Sequence, residues 1–271
     1  MTSRYLLISH GGTAFDVPRL IVIDLESPQP ASPVTVLDAH YVCSFHYPQL
    51  EDNISVLSMP IRSDPGANWQ PSPTLGVPFS VSCKDFLFAI TLWGTSHDDE
   101  FTLLSLVPAS TFLGALATLT PGETGRDFAW DEWGPWGSRL MEAPSTYSVT
   151  DMHYVYGMAF AVAERHFHFE AGAEEMEIRK FVVVRDFNQL ALRRRVAGHS
   201  GERKDNPGEQ VVAYETTLEL GGVFKEEVTT ALPYVERLFE PFESSRSMEN
   251  PAVSVPMLTE DAVVLVGEVS L

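Results

Sequence analysis

Basic residues are scarce in this chain: 18 Lys and Arg stand against 37 Asp and Glu over 271 residues, a formal net charge of -19. A surface this acidic repels phosphate backbones, because nucleic-acid affinity comes mainly from Lys and Arg displacing condensed cations. Anionic membrane surfaces are disfavoured for the same reason. The one basic cluster, Arg193, Arg194 and Arg195 with Arg203 and Lys204, is small and reads as a solvated strand end rather than a phosphate patch. Cysteine is nearly absent. Cys43 and Cys83 lie far apart and form no Cys-x-x-Cys pair, so neither zinc nor thioredoxin-like chemistry is signalled. Two lone thiols fit small apolar packing groups in a reducing compartment. Long apolar runs are missing too. The stretch from Phe86 to Trp93 falls short of the about 20 residues that a membrane-spanning helix needs, and the run at Tyr5-Leu-Leu-Ile8 is too short for a signal peptide. The expectation is an intracellular protein, cytoplasmic or nuclear, that binds neither nucleic acid nor membrane.

Helical periodicity is also in short supply. Short runs rich in Val, Ile, Leu, Phe and Tyr, bounded by Gly, Pro, Asp, Asn or Ser, recur along the chain and predict strands. They fall at residues 5–9, 20–25, 34–37, 54–59, 79–83, 86–93, 101–107, 111–116, 154–163, 178–187, 190–196, 211–218 and 262–266. Residues 223–232 have partial apolar spacing but are stopped by Pro233, which predicts one helical turn or an ordered loop. Apolar residues at 44% suffice for a packed core without disulfide or metal staples. No linker divides the chain, so residues 1–271 are expected to form a single β domain.

A weak internal repeat narrows the all-β options. Leu20-Ile-Val-Ile-Asp-Leu25, Thr102-Leu-Leu-Ser-Leu-Val107 and Val182-Val-Val-Arg-Asp-Phe187 recur at a spacing of about 80 residues, twice the usual ~40 of a propeller blade. Two blades per interval give an all-β, β-propeller-like expectation of roughly four to six blades.

The densest cluster of unusual residues is Ala129-Trp-Asp-Glu-Trp-Gly-Pro-Trp-Gly-Ser-Arg139, which holds three of the five tryptophans. Trp130, Trp133 and Trp136 beside Asp131, Glu132 and Arg139 form a candidate interaction surface, its indoles serving as hot spots for a protein or platforms for a sugar. The same residues also fit a packing role, with Trp130 and Trp133 filling gaps between blades while Gly134 and Pro135 shape a turn. Adjacent strand residues point to opposite faces, so Asp131 and Glu132 do not make the facing carboxylate pair of a glycosidase. His166, His168 and Glu170 have the i, i+2, i+4 spacing of a metal trio on one strand face. Arg165 and the acidic Glu174-Glu175 beside them favour an ordinary exposed hairpin end. His10 and His46 are isolated in sequence. No Gly-x-Ser-x-Gly elbow occurs, and Gly11-Gly12 lacks the spacing and lysine of a phosphate loop. The expectation is a non-enzymatic domain with no catalytic residues, no metal and no cofactor.

Several segments taken in order carry a resemblance. They are Arg62-Ser-Asp-Pro65, Pro78-Phe79, Asp85-Phe-Leu-Phe-Ala-Ile-Thr-Leu-Trp93 and Val107-Pro-Ala-Ser-Thr-Phe-Leu113. Trp130-Asp-Glu-Trp-Gly-Pro-Trp-Gly-Ser-Arg139, Tyr156-Gly-Met158, Val184-Arg-Asp-Phe-Asn188, Val223-Phe224 and Leu232-Pro-Tyr234 follow. Together they resemble the C-terminal region of the mushroom-type F-box proteins of basidiomycetes, from about Tyr5 onward. The Trp-Asp-Glu-Trp-Gly-Pro and Asp-Phe-Asn segments are the most specific parts. The resemblance implies a propeller-like region that recruits proteins for ubiquitination, with a protein partner and no catalytic residues. No Leu-Pro-x-Glu-type opening or helical pair precedes Tyr5, so the F-box, and with it binding to the ligase adaptor, is expected to be missing. A ring lacking early blades would leave an open blade for self-association. The alternatives are a carbohydrate-binding or glycosidase-like propeller, and a truncated gene product without selected activity.

Overall fold

The computed structural model describes residues 4–12, 16–26, 41–64, 85–96, 99–143, 155–168, 177–197, 208–218, 222–239, 255–258 and 263–266. The strands expected at 34–37 and 79–83, together with Cys83 and Glu170, lie outside these residues. In chain order the first elements are β1 (Tyr5–His10), β2 (Arg19–Asp24), β3 (Cys43–His46), β4 (Ile54–Ser58), β5 (Ile61–Arg62), β6 (Leu87–Ser96) and β7 (Asp99–Pro108). Helix α1 (Ala109–Leu116), β8 (Arg126–Phe128), helix α2 (Trp130–Gly137), β9 (Arg139–Glu142), β10 (Val155–Tyr156), β11 (Ala159–His168) and β12 (Glu177–Asp186) come next. Helix α3 (Gln189–Ala197), β13 (Glu209–Val212), β14 (Thr216–Thr217), β15 (Thr229–Thr230), β16 (Tyr234–Phe239), β17 (Val255–Leu258) and β18 (Val263–Val266) complete them. Among the described residues strands take 54% and helices 14%, which makes the fold mostly β. No described helix is long and apolar enough to cross a membrane.

The chain divides into two compact units, Met1–Glu142 with Tyr214–Leu232 and Ala143–Ala213 with Pro233–Leu271. In the first, one sheet has the order β1-β2-β3-β8 and another the order β4-β6-β7-β9, with β5 also on β6. Strand alternation sends Leu20 and Val22 of β2, and Cys43 and Phe45 of β3, to the inner face. Phe88, Ile90 and Leu92 of β6 and Leu103 and Val107 of β7 join the same core. Leu87, Ala89, Leu104 and Leu106, which point the other way, are buried as well. Both faces of this hairpin are covered, which explains its near-continuous apolar sequence. Phe45 sits at the centre of an aromatic cluster, edge-on to Phe112 at 4.9 Å and stacked on Phe128 at 5.2 Å.

In the second unit the sheet order is β10-β11-β12-β16-β13, all antiparallel. Gly157, with φ of +57°, supplies the left-handed residue that the tight β10–β11 turn requires. Val182 and Val184 pack with Ala161 on one face. The other face carries Arg185, whose Nη2 donates to Glu164 at 2.8 Å and whose Nε donates to Glu236 at 2.9 Å.

The 80-residue repeat has a structural counterpart. Its three segments are β2, β7 and β12, each an inner strand flanked on both sides. Each also ends with the same closure: Leu25 donates its N–H to Arg4 O, Ala109 to Phe86 O, and Phe187 to Met158 O. The repeat unit is thus one hairpin, not two blades. The propeller expectation is not met among the described residues, and no sheet closes into a barrel. Blades are consecutive antiparallel meanders, whereas β8 returns from beyond β7 to pair β3 in parallel, and β16 inserts between β12 and β13.

Other expectations need correction. Residues 111–116 and 190–196 belong to helices α1 and α3 rather than strands, so Arg193, Arg194 and Arg195 lie on a helix. Of the two alternatives for residues 223–232, the structure has the ordered loop and no helical turn. These residues hold β15, and Phe224 bridges to Leu50.

Candidate functional site

The 130–139 segment is helix α2 followed directly by β9, not a turn. The helix starts where Glu132 reaches back, its Oε2 accepting the Ala129 N–H at 2.8 Å, half of a capping box whose other half Ala129 cannot supply. The other oxygen of Glu132 accepts from Arg126 at 3.0 Å. Asp131 is exposed in the same first turn, where a carboxylate complements the helix dipole.

The three tryptophans part company. Trp133 is buried, its Nε1 donates to His46 O at 3.1 Å, and its ring meets Phe45 and Tyr47 edge-on at 5.5 Å. Trp130 is half-buried, stacked on Tyr47 at 5.6 Å and edge-on to Trp133 at 5.0 Å. Gly134 completes this packing: a Cβ there would lie 2.3 Å from the Trp130 ring. Trp136 is 71% exposed. Arg139 is buried, with Nη1 donating to Tyr214 O and Thr230 O at 3.1 and 3.2 Å. It therefore ties β9 to the 214–232 segment instead of facing solvent. Pro135 inside α2 adds to this tie through its carbonyl, which accepts the Ala231 N–H at 2.7 Å.

Of the six candidate residues, Asp131, Glu132 and Trp136 remain exposed, though both oxygens of Glu132 are already engaged. Trp136 and Glu132 are one helical turn apart and line one groove between α1 and α2, about 540 Å³ in volume. Its opposite wall is made of small side chains, Ser110, Thr111, Gly114 and Ala115 of α1 and Thr118 just beyond it, with Arg126, Phe128, Trp133 and Gly137 also lining it. The two helices are pinned by Thr111 Oγ1, which donates to Gly137 O at 2.8 Å. Space for a Cβ is open at Gly114, so the groove is wide where α1 bears glycine.

A polar cluster on the outer face of the first sheet invites comparison with a nucleophile site. Ser44 Oγ lies 2.8 Å from His46 Nε2 and donates to Asp127 Oδ1 at 2.5 Å, and Tyr41 Oη donates to the same oxygen at 3.2 Å. Asp127 lies 3.5 Å from that same imidazole nitrogen. In a Ser-His-Asp relay the acid holds the far nitrogen of the ring and the serine proton goes to the near one. Here one nitrogen faces both, and the Ser44 proton is already committed to the carboxylate. Burial pushes the Asp127 carboxyl up, but the hydrogen bonds from Ser44 and Tyr41 and the nearby His46 outweigh it and hold the group below its usual range. Cys43, next in the strand, faces the core, where burial and then the Asp127 charge push its thiol up to about 12. It is poorly suited to nucleophilic work.

His166 and His168 are on β11, opposite Arg179 and Glu177. Among the described residues no three His, Cys, Asp or Glu side chains gather as a metal set. No family model, curated protein or solved structure matches this chain.

Proposed function

We propose that this chain is a non-enzymatic protein-recognition domain, of the kind that recruits targets in the mushroom-type F-box proteins it resembles, and that the α1–α2 groove receives a basic segment of the partner. The observation that carries this reading is Trp136, a large indole left 71% exposed on a helix whose other two tryptophans are locked into packing. A rigidly mounted aromatic beside a groove is the usual anatomy of a binding hot spot. The charge of the partner follows from complementarity. Arg126 is neutralised by Glu132, and the chain as a whole carries -19, which steers cationic segments inward and stacks them favourably on an indole face.

Fluorescence titration with Lys- and Arg-bearing peptides tests this reading. Trp136→Ala is expected to weaken binding by about 2 kcal/mol, roughly thirtyfold, while its thermal midpoint stays near wild type, since an exposed side chain contributes within about 0.5 kcal/mol. Gly114→Leu fills the groove and should block binding without loss of stability, because leucine is the better helix former. Acidic peptides binding as well as basic ones, or unchanged affinity in both variants, would overturn the proposal. Saturable, Trp136-dependent binding on a glycan array would favour the carbohydrate alternative instead.

A further inference from the structure

On the outer face of the first sheet, three basic side chains stand in one cross-strand row. Arg19 of β2 is opposite His10 of β1 on one side and His46 of β3 on the other, a spacing at which same-face side chains touch. The two histidines have acidic neighbours: His10 Nδ1 is 3.5 Å from Asp16 Oδ2, and His46 Nε2 is 3.5 Å from Asp127 Oδ1. Arg19 has none. Among the described residues no carboxylate reaches its guanidinium, and its Nε is buried without a hydrogen-bond partner. His10 Nδ1 is buried and unbonded as well. Ile21 and Ile23, next on the same face of β2, are buried, so Arg19 borders an apolar patch where water screens it less. The Tyr41 hydroxyl closes the row, near enough for the Arg19 charge to act on it.

A guanidinium with an orphaned N–H, in a chain with so large an excess of acid, is the reverse of what pairing statistics would leave behind. We propose that the His10–Arg19–His46 row is a binding site for a single carboxylate group. The fixed positive charge of the row is that of Arg19, which has no carboxylate partner among the described residues. The fork of its guanidinium suits a planar carboxylate. Asp16 and Asp127 bracket the row and repel any further negative charge, which excludes a phosphate dianion. The carboxylate comes from a small organic acid or from a Glu or Asp side chain.

The test is an NMR titration of the intact chain at about pH 6, read on the histidine ring resonances. Sodium acetate is added at constant ionic strength, with sodium chloride as the control. Acetate should shift the His10 and His46 ring resonances saturably and chloride should not. Arg19→Gln should weaken the response at least tenfold, and Arg19→Lys, which keeps the charge but loses the fork, should fall between. Thermal melts of both variants establish that they fold. A Glu-bearing peptide that binds more tightly than acetate assigns the carboxylate to a protein partner, and equal affinity assigns it to a small acid. Absence of a saturable acetate shift, phosphate binding more tightly than acetate, or Arg19→Gln behaving as wild type would overturn the assignment.

Discussion

The two long hairpins of this molecule share a plan and differ in what fills it. In each, two ten-residue strands pair over their whole length and run on into a short helix: β6–β7 with α1, and β11–β12 with α3. The first hairpin is apolar on both faces. Its helix buries Phe112 among Phe45, Phe88 and Trp133, while Pro108, in the N-cap position just before it, makes no side-chain cap. The second hairpin places Arg185 between Glu164 and Glu236. Its helix begins with Asn188 Oδ1 accepting the N–H groups of Leu190 and Ala191, both at 3.1 Å. Hydrophobic packing thus secures the first helix, whereas the second starts on a side-chain cap and its sheet is braced by charge pairs.

Substitutions can break that contrast in order of size. Phe112→Ala should be the most damaging, removing a fully buried ring and leaving a cavity, at a cost of about 3–5 kcal/mol. Denaturant unfolding followed by near-UV dichroism would register it as early loss of the aromatic signal of the first unit. Arg185→Ala comes next, at about 3 kcal/mol, because two carboxylates are then left facing each other without their cation. Raising the salt concentration should recover part of that loss and none of the Phe112 loss. Asn188→Ala should cost least, about 1 kcal/mol, and should appear as faster amide exchange at Leu190 and Ala191. Equal sensitivity of the two hairpins to salt would show that the contrast has been misdrawn.

Strands were legible in the sequence wherever both faces are buried, because runs such as those at 20–23 and 86–90 then have no polar interruption. Helices α1 and α3 were not. At eight and nine residues they are too short for a 3.6-residue period to stand out, and Phe112 and Val196 read equally well as strand residues. The signal for α3 was the cap residue Asn188, just after Asp186, whose Oδ1 accepts the Asn188 N–H at 3.0 Å. The strands β8 and β9 are only three and four residues long, and pairing rather than pattern defines them. The tryptophan segment was conspicuous by composition, but sequence could not rank its three indoles. Trp133 and Trp136 are three residues apart on α2, so spacing alone would put them on neighbouring faces; what α2 packs against buries the first and leaves the second 71% exposed. The His10–Arg19–His46 row was invisible, since its members are brought together by register across two strand pairs.

Arg139 has a consequence for how the molecule is assembled. A ribosome releasing the chain from its N-terminal end delivers β9 long before the carbonyls of Tyr214 and Thr230 emerge. The whole of 143–213 must be synthesised in between. The first unit therefore cannot reach its final form vectorially: a large cationic side chain waits at its heart until a distant stretch comes back to enclose it.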